Sequence, residues 1–123
     1  MKIYMTARED YLKAILVLHQ RIGDVRSVDL ARYLGFSKPS ISQAVGILTS
    51  EGYLTVDGKH ILNLTDKGRA IAEKIYERHC FFTKHLISIG VDPKTAEEDA
   101  CKLEHAISEE SFEKLKERFK EEF

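Results

Sequence analysis

Cys101, Glu104 and His105 are spaced i, i+3, i+4. On a helix the three side chains share one face. A thiolate, a carboxylate and an imidazole together suit Fe(II), Co(II), Mn(II) or Zn(II). The spacing alone leaves two readings open: a ligand triad, or a core cysteine beside a surface Glu–His pair. His79 and Asp10 lie on other predicted helices and carry little meaning alone. A single helical histidine is more often satisfied or exposed than metal-bound, and Asp10 near a helix start complements the dipole. Cys80, next to Phe81 and Phe82, reads as core, and His19, His85 and Glu9 read as surface.

A second group of residues suits contact with nucleic acid. Ser37, Lys38, Pro39, Ser40, Ser42 and Gln43 crowd the start of one predicted helix, and Ile41, Val45 and Leu48 form its core stripe. Hydroxyls reach phosphates or base edges, glutamine pairs bidentately with adenine, and a helix N-terminus favours phosphate. Lys59 and His60 follow at a predicted hairpin tip, within reach of an adjacent groove or backbone. The bland alternative is an ordinary polar face on a capped helix.

The elements that position these residues follow from periodicity. Thr6-Ala-Arg-Glu9 has the form of a capping box before Tyr11, Leu12, Ile15, Leu16 and Leu18, predicting a helix over 6–20 that Gly23 ends. A short helix runs from a cap at Ser27 to a stop at Gly35. Ser37 caps the next, with Pro39 in its first turn, through to about residue 51. Residues 53–56 and 60–64 read as strands joined by an Asp57-Gly58 turn. Thr65 caps a long helix to about Ser88, Pro93 starts another to about Ile107, and Ser108 opens a charged last one. The fold class is mainly α with a small β-hairpin: a winged helix-turn-helix over 1–64 and a helical layer over 65–123. That layer is too small for an independent core, which points to a partner subunit.

Composition bounds the function. The chain has 123 residues, 43% of them hydrophobic and 32% charged, with a net charge of −1. Residues 1–64 carry 8 basic and 6 acidic side chains, and residues 65–123 carry 11 and 14. So mild an excess implies that DNA binding rests on shaped contacts and dimerisation more than on bulk charge. Apolar runs are short, so no membrane span is expected, and the start lacks a secretory pattern. Two cysteines without a CxxC argue for a reducing cytoplasm. Neither H-E-x-x-H nor a phosphate-cradling glycine loop is present, which disfavours the distant alternative of a small metallohydrolase. A metal-independent winged-helix transcription factor with an incidental Cys-Glu-His cluster is the nearer alternative.

Five segments together resemble the diphtheria toxin repressor family, which includes iron-dependent regulators and shorter manganese transport regulators. They are Glu9-Asp10-Tyr11-Leu12, residues 37–43, Leu62-Asn-Leu-Thr-Asp-Lys-Gly68, Arg78-His79 and Asp99-Ala-Cys101-Lys-Leu-Glu104-His105. The resemblance implies a homodimer that binds a pseudo-palindromic double-stranded operator when loaded with metal, and that controls metal-uptake genes. It also implies that the residues matching Asp10, His79, Cys101, Glu104 and His105 are metal ligands, divided between two neighbouring sites. A metal held by them would tie the winged domain to the second layer. The chain ends without the SH3-like domain of longer members, which places it with the short type.

Departures from the family pattern bear on the metal. Iron-type members have Met at the position of Asp10 and Cys at that of Cys101, whereas manganese-type members have Asp and Glu. The manganese type also has a Glu matching Lys13. The iron type has a Glu matching Thr83 and a His matching Glu97. Thr83 is a poor ligand and Glu97 an adequate one, so one well-formed site is expected. The thiolate favours Fe2+, the harder Asp10 keeps Mn2+ next, and Zn2+ fits the same donors.

Overall fold

The computed structural model describes residues 5–120. Its elements run α1 (Met5–Ile22), α2 (Ser27–Leu34), α3 (Lys38–Ser50), β1 (Leu54–Val56), β2 (Leu62–Leu64), α4 (Asp66–Ser88), α5 (Pro93–Ala106) and α6 (Glu109–Phe119). This is the expected helix–helix–helix–hairpin order with a helical remainder. The chain separates into two compact units, and the division falls inside α4 between Lys74 and Ile75. Among the described residues no helix is long and apolar enough to cross a membrane.

The first unit is organised around α1 and α3. Leu12 and Ile15 of α1, Leu30 of α2 and Ile41, Ala44 and Leu48 of α3 are fully buried. The α3 stripe recurs at i, i+3, i+4, i+7, and each large side chain contributes roughly 1.5–3 kcal/mol by leaving water. Ser37 caps α3: its Oγ accepts the Ser40 N–H at 3.3 Å, and Pro39 sits in the first turn. Gly35 ends α2 at φ 71°, as a left-handed stop requires.

Two helix starts differ from the sequence expectation. Thr6 lies within α1, so Thr6-Ala-Arg-Glu9 is not a capping box. Arg8 instead forms a bidentate pair with Glu51 at 3.0 and 2.9 Å, joining α1 to the end of α3. That hydrogen bond holds the Glu51 carboxyl below its usual range. The cap of α2 is Arg26 rather than Ser27, because the Asp29 carboxylate accepts the Arg26 N–H at 2.9 Å and starts the helix one residue early.

The hairpin is antiparallel, with Leu54 opposite Leu64 and Val56 opposite Leu62. Its connection is longer than a two-residue Asp57-Gly58 turn. The Asp57 carboxylate accepts the N–H groups of Lys59 at 2.8 Å and Ile61 at 3.0 Å, and His60 takes the positive φ of 65°. One carboxylate thus organises the whole tip, an Asx-type arrangement. The Leu62 N–H donates to the Val25 carbonyl at 2.7 Å, which anchors the hairpin beside the start of α2.

Hydrogen bonds from Ile61 and Lys59 hold the Asp57 carboxyl below its ordinary range. A depressed folded-state pKa means the contribution is complete above the unfolded value and fades as pH falls through the folded one. The amide resonances of Lys59 and Ile61 are therefore expected to shift together, with a common midpoint below the usual carboxyl range. An Asp57→Ala chain should show the altered shifts at all pH.

The start of α4 is locked to the residues before β1. Thr65 Oγ1 accepts the Gly68 N–H at 3.1 Å and donates to the Gly52 carbonyl at 2.6 Å. The Thr65 N–H donates to the Tyr53 carbonyl at 3.0 Å, and Lys67 Nζ to the Glu51 carbonyl at 3.0 Å. Gly68 is buried so close to Tyr53 that a Cβ would overlap the Tyr53 carbonyl oxygen. The Leu-Thr-Asp-Lys-Gly run is a fastening motif.

In the second unit, Ile75 of α4, Ala96 and Ala100 of α5 and Phe112 of α6 are buried. Ala96 and Ala100, four residues apart, bring small side chains to the buried face of α5. Asp92 caps this helix by accepting from Lys94 and Thr95, and Ser108 caps α6 by accepting from Ser111. Cys80 is exposed, contrary to its reading as core. Its apolar sequence neighbours point elsewhere on the helix, while the buried line runs through Ala72, Ile75 and Arg78. His85 is half-buried, with Nδ1 2.9 Å from the Phe81 carbonyl.

Candidate metal centre and DNA-reading helix

α4 supplies His79, and α5 supplies Glu97, Cys101, Glu104 and His105. Glu104 is fully buried, at 0% exposure. A charged carboxylate out of water needs a countercharge or strong donors. Its Oε2 lies 3.0 Å from His79 Nδ1, and its Oε1 lies 3.5 Å from His105 Nε2. The carboxylate therefore sits between two imidazoles and offers one oxygen to each. Cys101 Sγ lies 3.8 Å from His79 Nδ1. One ligand atom each from His79, Cys101 and Glu104 falls within 4.8 Å of the others. Nitrogen, sulfur and oxygen donors at this spacing fit a transition metal.

Glu97 is placed differently. It is exposed on α5, with Oε1 3.5 Å from His79 Nε2, the ring nitrogen opposite the Cys101–Glu104 side. Asp10 lies exposed on α1, in the first unit. Thr83 Oγ1 is buried without a hydrogen-bond partner among the described residues.

On α3, Lys38, Pro39, Ser42 and Gln43 are exposed and Ser40 is half-buried. The hydroxyls of Ser37 and Ser40 bond to one another at 2.9 Å, so part of their capacity serves the cap. Ser42 and Gln43 continue into Gly46, Ile47 and Ser50 to line one shallow depression. Gly46 and Ser50 also belong to this face; their i+4 and i+8 spacing from Ser42 is the signal in the sequence. Lys59 is exposed on the hairpin, its carbonyl accepting from Arg26 Nε at 3.3 Å.

Residues 4–62 match the iron dependent repressor N-terminal DNA binding domain. Residues 65–121 match the iron dependent repressor metal binding and dimerisation domain. The chain belongs to the iron-dependent repressor family. Like its relatives, this repressor is a transcriptional regulator and not an enzyme. It is 36% identical over 118 residues to an uncharacterised HTH-type transcriptional regulator of Methanocaldococcus jannaschii, covering 92% of this chain and 94% of that one. It is 33% identical over 103 residues to the transcriptional regulator MntR of Escherichia coli, covering 84% of this chain and 66% of that one. The manganese regulator SloR superposes with a TM-score of 0.80 at 28% identity, over 92% of this chain and 53% of that one. The repressor thus spans about half the length of that solved regulator. Divalent metal binding and a mainly helical fold with a winged DNA-binding half are properties of the family.

Proposed function

We propose that this chain is a homodimeric, cytoplasmic repressor that binds a pseudo-palindromic double-stranded operator when a divalent transition metal is bound, and that it controls metal-uptake genes. The observation that carries this reading is the buried Glu104 carboxylate, flanked by His79 and His105 and joined by Cys101. When bound, the metal supplies the positive charge that this cluster of anionic and imidazole donors is suited to hold. His79 Nδ1, Cys101 and Glu104 serve as ligands, and His105 takes the other Glu104 oxygen. Glu97, on the far nitrogen of His79, orients the ring as outer carboxylates do. Asp10 joins the ligand set on the strength of the family resemblance. Ser37, Lys38, Pro39, Ser40, Ser42 and Gln43 meet the major groove, with Lys59 on the adjacent backbone.

Fe2+ is the favoured metal because a thiolate replaces the harder carboxylate of the manganese type; Mn2+ is next and Zn2+ fits. Couplings of about 1–3 kcal/mol change affinity roughly 5–150-fold, enough to switch an operator between empty and occupied. Cys101→Glu is expected to shift activation toward Mn2+, read as duplex retardation against metal concentration; unchanged selectivity contradicts the thiolate argument. Asp10→Ala is expected to lose metal-stimulated DNA binding with its circular dichroism unchanged. Full metal-responsive retardation by that variant removes Asp10 from the ligand set.

A further inference from the structure

Arg78 immediately precedes His79 on α4 and is 5% exposed. Its Nη1 donates to the Ile107 carbonyl at 2.8 Å and to the Glu104 carbonyl at 3.3 Å. Both acceptors belong to the end of α5, where the final carbonyls have no partner within the helix. A cation there also complements the negative end of the helix dipole. The guanidinium carbon lies 5.4 Å from the Phe112 ring centroid, which ties the same group to α6. Nε is buried without a hydrogen-bond partner among the described residues. A cation this buried, spread over three helices, costs desolvation that a purely apolar contact would avoid.

What Arg78 holds is the backbone that carries Glu104 and, one residue on, His105. Its own neighbour is His79. The residue next to one candidate ligand therefore fixes the main chain of a second and sets the spacing to a third. We propose that Arg78 is a positioning residue for metal binding. Its two donations to the Glu104 and Ile107 carbonyls keep the last turn of α5 where the Glu104 carboxylate faces His79. This rests on the metal reading above. It concerns a residue that touches no ligand atom but governs where those atoms lie.

The test uses the full chain and Co(II) alone as probe, with affinity from competition titration and ligand geometry from the visible spectrum of the Co(II)-bound protein. Thermal unfolding of the metal-free protein is measured beside it. Arg78→Met, which keeps the aliphatic stem and removes the donors, is expected to weaken Co(II) binding about 10–100-fold, the usual cost of losing a group that orients ligands. Its Co(II) spectrum should also change. Arg78→Lys keeps a charge but not the planar fork and should fall between wild type and Arg78→Met. It carries the comparison alone if the Met variant does not fold. Leu54→Val, a fully buried position on β1 in the first unit, is the control for stability: it should lower the melting temperature and leave Co(II) affinity and spectrum unchanged. Wild-type affinity and spectrum in the Arg78 variants overturn the proposal. So does a Leu54→Val chain that loses the same affinity at the same loss of stability. A wild-type chain that binds no Co(II) brings down the metal reading itself, and this inference with it.

Discussion

Glu104→Gln is expected to abolish metal-induced stabilisation while leaving the metal-free protein as stable as wild type or more so. The opposite signs follow from burial. Glu104 is the one acidic side chain among the described residues that is fully buried. Without metal, a buried charge costs free energy, and an amide of the same shape removes that cost. The carboxylate lies between His79 and His105, at 3.0 and 3.5 Å, and would serve as a donor to the metal. Ligand binding to the folded state stabilises it by about 2.7 kcal/mol at 100 times Kd. The wild-type melting temperature should therefore rise by several degrees on adding metal, and the Glu104→Gln value should not move. A Glu104→Gln chain that keeps the full metal-induced rise, or that collapses without metal, contradicts the role given to this residue. Loss of one position should remove both DNA retardation and the thermal shift.

Gly68→Ala is expected to damage DNA binding through the fold of the first unit, with metal binding by the α4 and α5 residues retained. The added Cβ meets the Tyr53 carbonyl, a backbone atom that cannot rotate away. Overpacking costs about 1–3 kcal/mol, and a backbone-to-backbone clash belongs at the upper end. The first turn of α4 must lift, which breaks the Thr65 bonds to Gly52 and Tyr53 and loosens Lys67 over the Tyr53 ring, now 4.3 Å from its centroid. Co(II) binding through Cys101, read as the thiolate-to-Co(II) absorption band, should persist, while thermal unfolding and duplex retardation report the damage. Wild-type stability for Gly68→Ala means that Tyr53 gives way and the fastening has no consequence.

These two residues show how far the sequence could be read. Gly68 was visible as part of a motif, but nothing in the order of residues reveals that α4 starts against the Tyr53 carbonyl. Glu104 was legible as a donor from its i, i+3, i+4 spacing with Cys101 and His105. Its complete burial was not, because a glutamate beside a histidine on a helix is ordinarily at the surface. Helix and hairpin order came through because the periods of 3.6 and 2 change cleanly at Gly52. Turn chemistry was less legible. Asp57-Gly58 marked the right place, yet the Asp57 carboxylate accepts two amides and enlarges the loop, with His60 taking the positive φ. Arg26 and Asp29 displaced Ser27 for a similar reason: a carboxylate three residues into the helix outcompeted a hydroxyl. Arg78 was one basic residue among many until the end of α5 met it. Cys80 was misplaced because sequence neighbours on a helix are not spatial neighbours.

On the proposed function, metal occupancy of the His79–Cys101–Glu104–His105 cluster controls DNA binding. The most direct measurement is anaerobic titration of the full chain onto an operator-like duplex with Fe2+, Mn2+ or Zn2+, followed by chelator. The account predicts retardation that appears with metal, saturates with metal occupancy and reverses on chelation, with Fe2+ effective at the lowest concentration. Equal binding to the duplex with metal and with chelator would contradict it and leave a metal-independent winged-helix regulator in its place.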